Sequence, residues 1–177
     1  MSLIEQVPRI ETRRLALRAP AAGDIARIAE LADDFDIARM TTRMPHPYHR
    51  ADAEAFVARA QALDPGREAV FVIDLEGEGA VGAIGLHPQG AVGPEIGYWV
   101  GRPYWGRGLA SEAAAAVMDW VRRPWNRRAA VAGYFADNPA SGRVLERAGF
   151  LHTGEIQHRL SLARGEAAAT RMMVWLA

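Results

Sequence analysis

The 177-residue sequence contains no cysteine. Disulfides, thiolate metal sites and a covalent acyl-cysteine intermediate are thereby excluded. It contains no lysine either, so all 21 basic side chains are arginine. Schiff-base chemistry and a lysine-bearing phosphate loop go with it. The abundance of arginine and alanine reads as GC-rich codon bias. Net charge is also missing, with 21 acidic residues against the 21 basic ones. No long-range field therefore recruits nucleic acid or an anionic membrane. No apolar run approaches the ~18–20 residues that span a bilayer; the alanine stretch from Ala113 to Ala116 carries only to Met118. The opening MSLIEQVPRI has no basic segment followed by an apolar one, which predicts no signal peptide and a cytoplasmic protein. The length and the 50% apolar content predict one globular domain over residues 1–177.

What is present is a regular alternation of strand and helix signals. Ile10 to Arg18 alternates weakly and reads as a strand; Pro20 then opens a helix with Ile25, Ile28, Ala29 and Leu31 at helical spacing. Residues 33–48 form a long polar connection, and Arg50 to Leu63 a second helix that Asp64-Pro65-Gly66 stops. Ala69 to Leu75 and Ala80 to Leu86 read as a hairpin around a Glu/Gly turn, and Val92 to Val100 as a further strand. Leu109 to Val121 is predicted helical, Ala129 to Phe135 a strand, Pro139 to Ala148 a helix closed by Gly149. Strands near Phe150 to Leu160 and Thr170 to Leu176 complete the chain. The order β-α-α-β-β-β-α-β-α-β-β predicts an α/β (α+β) fold with a mixed, mostly antiparallel sheet of about seven strands and about four helices. The strand–helix–strand unit from 92 to 135 reads as a parallel crossover, and ligands in such sheets sit where the strand turns into the helix.

That turn is Tyr104-Trp105-Gly106-Arg107-Gly108-Leu109-Ala110. Its glycines permit unusual torsions and close approach by a ligand. No Ser, Thr, Asp or Asn stands at the helix start, so the first N–H groups lack a side-chain acceptor. Such donors, with the helix dipole and Arg107, favour an anion such as pyrophosphate. The same residues equally fit a tight turn whose donors face water. Further on, Asp137-Asn138-Pro139-Ala140-Ser141 opens the last helix, with Asn138 as N-cap and proline at the first helical position. For Asn138 and Ser141 alone, capping is a sufficient role.

Three blocks together resemble the GNAT acyltransferases. They are Gly97-Tyr98-Trp99-Val100; Tyr104-Trp105-Gly106-Arg107-Gly108-Leu109-Ala110-Ser111-Glu112-Ala113; and Asn138-Pro139-Ala140-Ser141 running to Leu145-Glu146-Arg147-Ala148-Gly149-Phe150. The similarity is to the Rim-type branch, named for ribosomal-protein N-terminal acetylation, to which Glu11-Thr12-Arg13-Arg14-Leu15 and Pro45-His46-Pro47-Tyr48 are also similar. It runs from about residue 9 to the end. The resemblance implies acetyl-CoA as cofactor, bound by a splayed parallel strand pair. Its pyrophosphate would lie on the backbone N–H groups of the 106–110 turn (Gly106, Arg107, Gly108, Leu109, Ala110), with Trp105 and Ser111 as flanking cofactor-binding residues. Its pantetheine would lie beside Trp99 and Val100, with Asn138 and Ser141 near the thioester. Two positions depart from the family pattern. Trp105 stands where Gln or Arg usually opens the glycine motif. Leu145 stands where many members carry a tyrosine thought to protonate the leaving thiolate, which leaves Ser141 as the nearest candidate.

The implied reaction is direct attack of a neutral amine on the thioester, with a backbone N–H near Trp99 to Gly101 polarising the carbonyl. Neutralising a lysine amine at pH 7 costs about 4.6 kcal/mol and an α-amino group about 1.4 kcal/mol, so one modest base suits an α-amino group better. Glu95, in an otherwise apolar strand, is the candidate base; a structural ion pair with one of the arginines accounts for it equally well. The 33–48 connection is expected to cover the acceptor, with Asp36, His46 and Tyr48 as candidate substrate-binding residues beside Glu95. Arg43 and His49 are further polar candidates there, and each of the loop residues, taken singly, also fits a surface or packing role. The five histidines show no metal spacing, predicting no metal. An acetyl-CoA-dependent N-acetyltransferase acting on a small-molecule amine or a peptide N-terminus is the leading expectation. The alternatives are a GNAT-fold module that binds acyl-CoA without turnover, and a plain binding domain for a phosphorylated metabolite.

Overall fold

The computed structural model describes residues 6–177; the predicted absence of a signal peptide rests partly on residues 1–5, outside the described residues. An eight-stranded sheet runs in the order β1-β2-β3-β4-β5-β6-β8-β7. Its strands are β1 (Ile10–Glu11), β2 (Leu15–Arg18), β3 (Ala69–Leu75), β4 (Gly79–His87), β5 (Glu95–Val100), β6 (Ala129–Phe135), β7 (Leu151–Ser161) and β8 (Glu166–Leu176). Its helices are α1 (Ile25–Ala32), α2 (Phe35–Ala38), α3 (Arg50–Gln61), α4 (Leu109–Arg122) and α5 (Pro139–Arg147). Every pairing is antiparallel except β5 with β6, which α4 connects.

Three differences from the sequence expectation have local causes. The strand expected over 10–18 is a hairpin, because Thr12 N–H donates to the Leu15 carbonyl at 2.8 Å and Thr12 Oγ1 accepts from Leu15 N–H at 2.9 Å. The helix expected from Pro20 starts with a 3-10 turn at Ala22–Asp24, fastened by Asp24 to the Arg18 guanidinium at 2.8 Å. The strand expected from Val92 begins at Glu95, since Gly93 lies hard against the Ala129 carbonyl and Pro94 lacks an N–H.

β3 is apolar and buried without a break from Ala69 to Ile73 because the sheet is covered on both faces there. Ala69, Phe71, Ile73 and Leu75 join Val117, Met118, Trp120 and Val121 of α4 in the larger core, while Val72 joins Ile28, Ala53 and Val57 of α1 and α3. Burial on both sides fixes the sheet's register, and the register sets up the one irregularity that matters. β5 and β6 pair only at Glu95↔Val131 and Ile96↔Ala132. Beyond Ile96 the two strands diverge, and β5 keeps only its β4 neighbour through Val100↔Gly82. The splayed parallel pair implied by the resemblance is therefore present. It leaves a strand edge with unpaired backbone groups facing a gap.

Candidate functional site

The glycine turn lies at the end of that gap. Gly106 and Gly108 have φ of 72° and 74°, torsions that side-chain-bearing residues adopt only at a cost. Gly108 is the N-cap of α4 and supplies no side-chain cap, so the N–H groups of Leu109, Ala110 and Ser111 point outward as free donors. A Cβ on Gly106 would meet nothing within 4 Å, and one on Gly108 only Arg14 Nη2 at 3.7 Å. Space, donors and dipole thus coincide, as an anion site requires. Arg14 Nη1 braces the turn by donating to the Arg107 carbonyl at 2.9 Å, while its Nε holds Glu112 at 2.8 Å. The Arg107 guanidinium itself turns to Glu78, 3.5 Å away, and does not line the groove. Trp105 uses its indole N–H on the Val100 carbonyl at 2.6 Å, with Arg102 stacked 5.0 Å from its ring. The residue that departs from the family motif therefore locks the end of β5 to the turn.

A groove of ≈540 Å³ runs from this turn along the splay, lined by Trp99, Val100, Trp105, Gly106, Gly108–Ser111, Asn138 and Ser141. Asn138 caps α5 by accepting from Ser141 N–H at 3.3 Å. A second cavity of ≈440 Å³ holds Tyr48, Glu95, Gly97, Leu145 and Arg159. The two meet at Met40, Thr41, Tyr98, Trp99 and Ser141, which line both. At that junction Tyr98 Oη lies 2.8 Å from Ser141 Oγ and 3.0 Å from the Ser141 carbonyl. Burial pushes the Tyr98 phenol well above its ordinary pKa, only partly offset by the Ser141 hydrogen bond. Leu145 is 1% exposed and offers no proton.

Strand geometry selects the backbone donors of the junction. Pro94 O accepts from Val131, Val100 O accepts from Trp105, and Gly101 N–H is spent on Val81 O at 2.8 Å. N–H and C=O of one strand residue point to the same edge, so Tyr98 and Val100 present theirs to the splay. Trp99 and Gly101 face β4.

Glu95 forms an ion pair with Arg159 of β7; their side chains are 20% and 17% exposed. Both line the second cavity. Tyr48 lies there too, its hydroxyl pushed up to about 12 by burial and by the nearby Asp52 charge. Asp36 is placed differently from the expectation: it lines the groove on the cofactor side and is bound by Arg102 and Arg39. His46 lines neither cavity; it pairs with Asp33 at 3.4 Å and packs edge-on against Phe35.

The 33–48 connection, which contains α2, is clamped over the junction from two sides. Arg102 holds Asp34 and Asp36 at 2.6–2.7 Å. Arg164, from the β7–β8 turn, donates to the Arg39 carbonyl at 2.6 Å and grips Asp137 through two bonds of 2.9 Å. The Arg102 hydrogen bond holds Asp34 below the usual carboxylate range, and Arg164 does the same for Asp137. Arg143 and Arg147 of α5 line the same groove as the glycine turn. Together with Tyr98 and Arg159 they went unread in the sequence. The helical spacing of 143 and 147 beside a candidate anion site was a usable signal; the Tyr98–Ser141 and Glu95–Arg159 contacts, 43 and 64 residues apart, left none.

Residues 14–151 match the acetyltransferase (GNAT) domain family. The chain is similar in structure to an acetyltransferase (GNAT family) from Bacillus anthracis, at 24% identity with a TM-score of 0.82 over 96% of this chain and 98% of that one. It is similar to RimJ of Mycobacterium smegmatis, solved in complex with CoA-disulfide, at 24% identity and a TM-score of 0.80 over 97% and 87% of the two chains. It also shares its fold with a spermidine N-acetyltransferase from Vibrio cholerae in complex with CoA and spermine, at 20% identity and a TM-score of 0.76 over 93% and 96%.

Proposed function

Because the chain belongs to the GNAT acetyltransferase family, we propose that it transfers an acetyl group from acetyl-CoA to a primary amine, by direct attack in a ternary complex. One observation carries the reading: an uncapped, glycine-built helix start at the end of a splayed parallel strand pair. The groove fits the cofactor in chemical kind. Free N–H donors of Leu109, Ala110 and Ser111 suit a pyrophosphate, with Arg143 and Arg147 adding positive charge to the groove lining. The unpaired edge of β5 suits the amides of a pantetheine arm. RimJ and the spermidine enzyme, solved with CoA species, support the assignment.

Bound acetyl-CoA would supply an activated thioester carbonyl and a thiolate leaving group. Around it the chain's own residues divide the work. Tyr98 N–H, on the open edge at the vertex, would polarise that carbonyl. Ser141, which lines both cavities, would offer its hydroxyl to the leaving group. Glu95 draws the amine's proton with its carboxylate, which Arg159 anchors. Tyr98 stands three positions beyond Glu95, about 10 Å along the strand, so the proton would reach the carboxylate through bridging water. Tyr48 and the side-chain-free Gly97 shape the acceptor's space. The acceptor is a small-molecule amine or a peptide N-terminus; the Rim-like motifs and the RimJ-like fold favour the Rim-type branch.

Acetyl-CoA consumption against a panel of α-amino peptides, amino acids and polyamines tests the reading, with free thiol as the signal. The protein adds no thiol of its own. Amine-dependent thiol release is the expected result. Tight acetyl-CoA binding with no release across the panel would favour an acyl-CoA-binding module without turnover.

A further inference from the structure

The hydroxyl pair at the junction has no packing task that phenylalanine and alanine would not also fill. Tyr98 crosses the gap from β5 to α5, and among the described residues its phenol is the only hydrogen-bond partner of the Ser141 hydroxyl. The Ser141 backbone is already fixed, its N–H held by the carbonyl and side chain of Asn138. Only the hydroxyl rotor remains free, and a serine hydroxyl has one proton and two lone pairs.

We propose that Tyr98 is a positioning residue: it donates to Ser141 Oγ and thereby turns the Ser141 O–H toward the sulfur of bound CoA, so that the leaving thiolate meets an aimed donor where α5 lacks a tyrosine. The inference rests on the cofactor reading above. The two available arrangements of the pair explain why both contacts exist. With Tyr98 donating to the Ser141 carbonyl, the serine proton is spent on the phenol. With Tyr98 donating to Ser141 Oγ, the serine proton is released into the junction, and an anionic sulfur there favours the second arrangement. Burial keeps the phenol neutral, so it always has a proton to donate. Tyr98 is not itself the acid, because an ordinary thiol near ~8.5 is already more acidic than a phenol near ~10. No proton changes hands; the thiolate is held by a hydrogen bond and is protonated later from solvent.

The absence of cysteine allows a direct test without any acceptor amine. CoA bound to the whole protein is the only thiol present, and the pH dependence of its alkylation by iodoacetamide reports its pKa. The wild-type complex is expected to lower that pKa by about one pH unit relative to Tyr98→Phe, the size of one charge-assisted hydrogen bond. Ser141→Ala is expected to lose the same amount, Ser141→Thr to keep it, and the double variant Tyr98→Phe/Ser141→Ala to lose no more than either single one. The melting temperature, expected to stay near wild type, reports folding separately, and calorimetry confirms that each variant is saturated with CoA during alkylation. A wild-type pKa in folded Tyr98→Phe, or losses that add in the double variant, would overturn the inference while leaving the cofactor reading intact. Failure of the wild-type protein to bind CoA would overturn both.

Discussion

The two ends of the groove are built from different materials. The turn at 105–110 is made of backbone: free N–H groups, two glycines in left-handed torsions, and a helix start without a cap. The junction and acceptor cavity are made of side chains that arrive from β5, α5, β7 and the 33–48 connection. A backbone site is written in consecutive residues. A side-chain site is written in contacts that only the folded sheet creates. In the proposed reading the first kind holds the cofactor's fixed pyrophosphate, and the second is free to vary with the acceptor.

Perturbing each end separately sharpens that contrast. Glu95→Gln is expected to have the largest effect, reducing turnover about 10²–10⁴-fold, the range for losing a general base, with CoA affinity unchanged by calorimetry. Unchanged turnover would reduce Glu95 to the structural partner of Arg159. Gly108→Val acts on the other end: a β-branched residue at φ 74° deforms the turn and turns its donors away. CoA affinity is expected to fall about 100-fold or more, the loss of two charge-assisted hydrogen bonds, while the protein stays folded by circular dichroism. Normal affinity in the folded variant would remove the pyrophosphate from this turn.

Leu145→Tyr tests whether the junction could accept the tyrosine that many relatives carry. Leu145 is 1% exposed, so the larger side chain is expected to destabilise the protein by about 1–3 kcal/mol, read as a lower melting temperature, without raising turnover. A gain in rate would contradict the role given to Tyr98 and Ser141. The smallest effect is a pH effect on the clamps. Arg102 and Arg164 hold Asp34 and Asp137 below the usual carboxylate range, so these pairs stabilise the fold above the unfolded-state value of ~3.9. That contribution is lost as pH falls through the lower folded values. Hydrogen-exchange protection factors in residues 33–44 are expected to fall below about pH 4 while those of the β3 core hold; an equal fall in both would count against a local clamp.

The same division accounts for what the sequence made legible. β3 and β6 were readable to the residue because each is mostly apolar, with Asp74 the one charged residue in the two strands. The 10–18 hairpin was hidden because Thr12 makes the turn by side-chain hydrogen bonding, without glycine or proline. The anion site was legible because a missing cap is a local property. On α5, Ala140 is exposed and lines the groove, while Gly142 is buried against Tyr134. Asp36 and His46 were chosen for polarity within a loop, and the loop's path was set by Arg102 and Arg164, 66 and 125 residues away from their partners in it. Alternation alone put Glu95 and Tyr98 on opposite faces of β5; that both border one cavity follows from the splay.

The central claim is that backbone amides of the 106–111 turn hold the cofactor, and an amide-resolved NMR titration of the ¹⁵N-labelled protein with CoA tests it most directly. The account predicts that the signals of Gly108, Leu109, Ala110 and Ser111 move together and saturate with CoA, while those at the far end of the β7–β8 hairpin stay in place. Saturation by CoA with those four amides unmoved would contradict it.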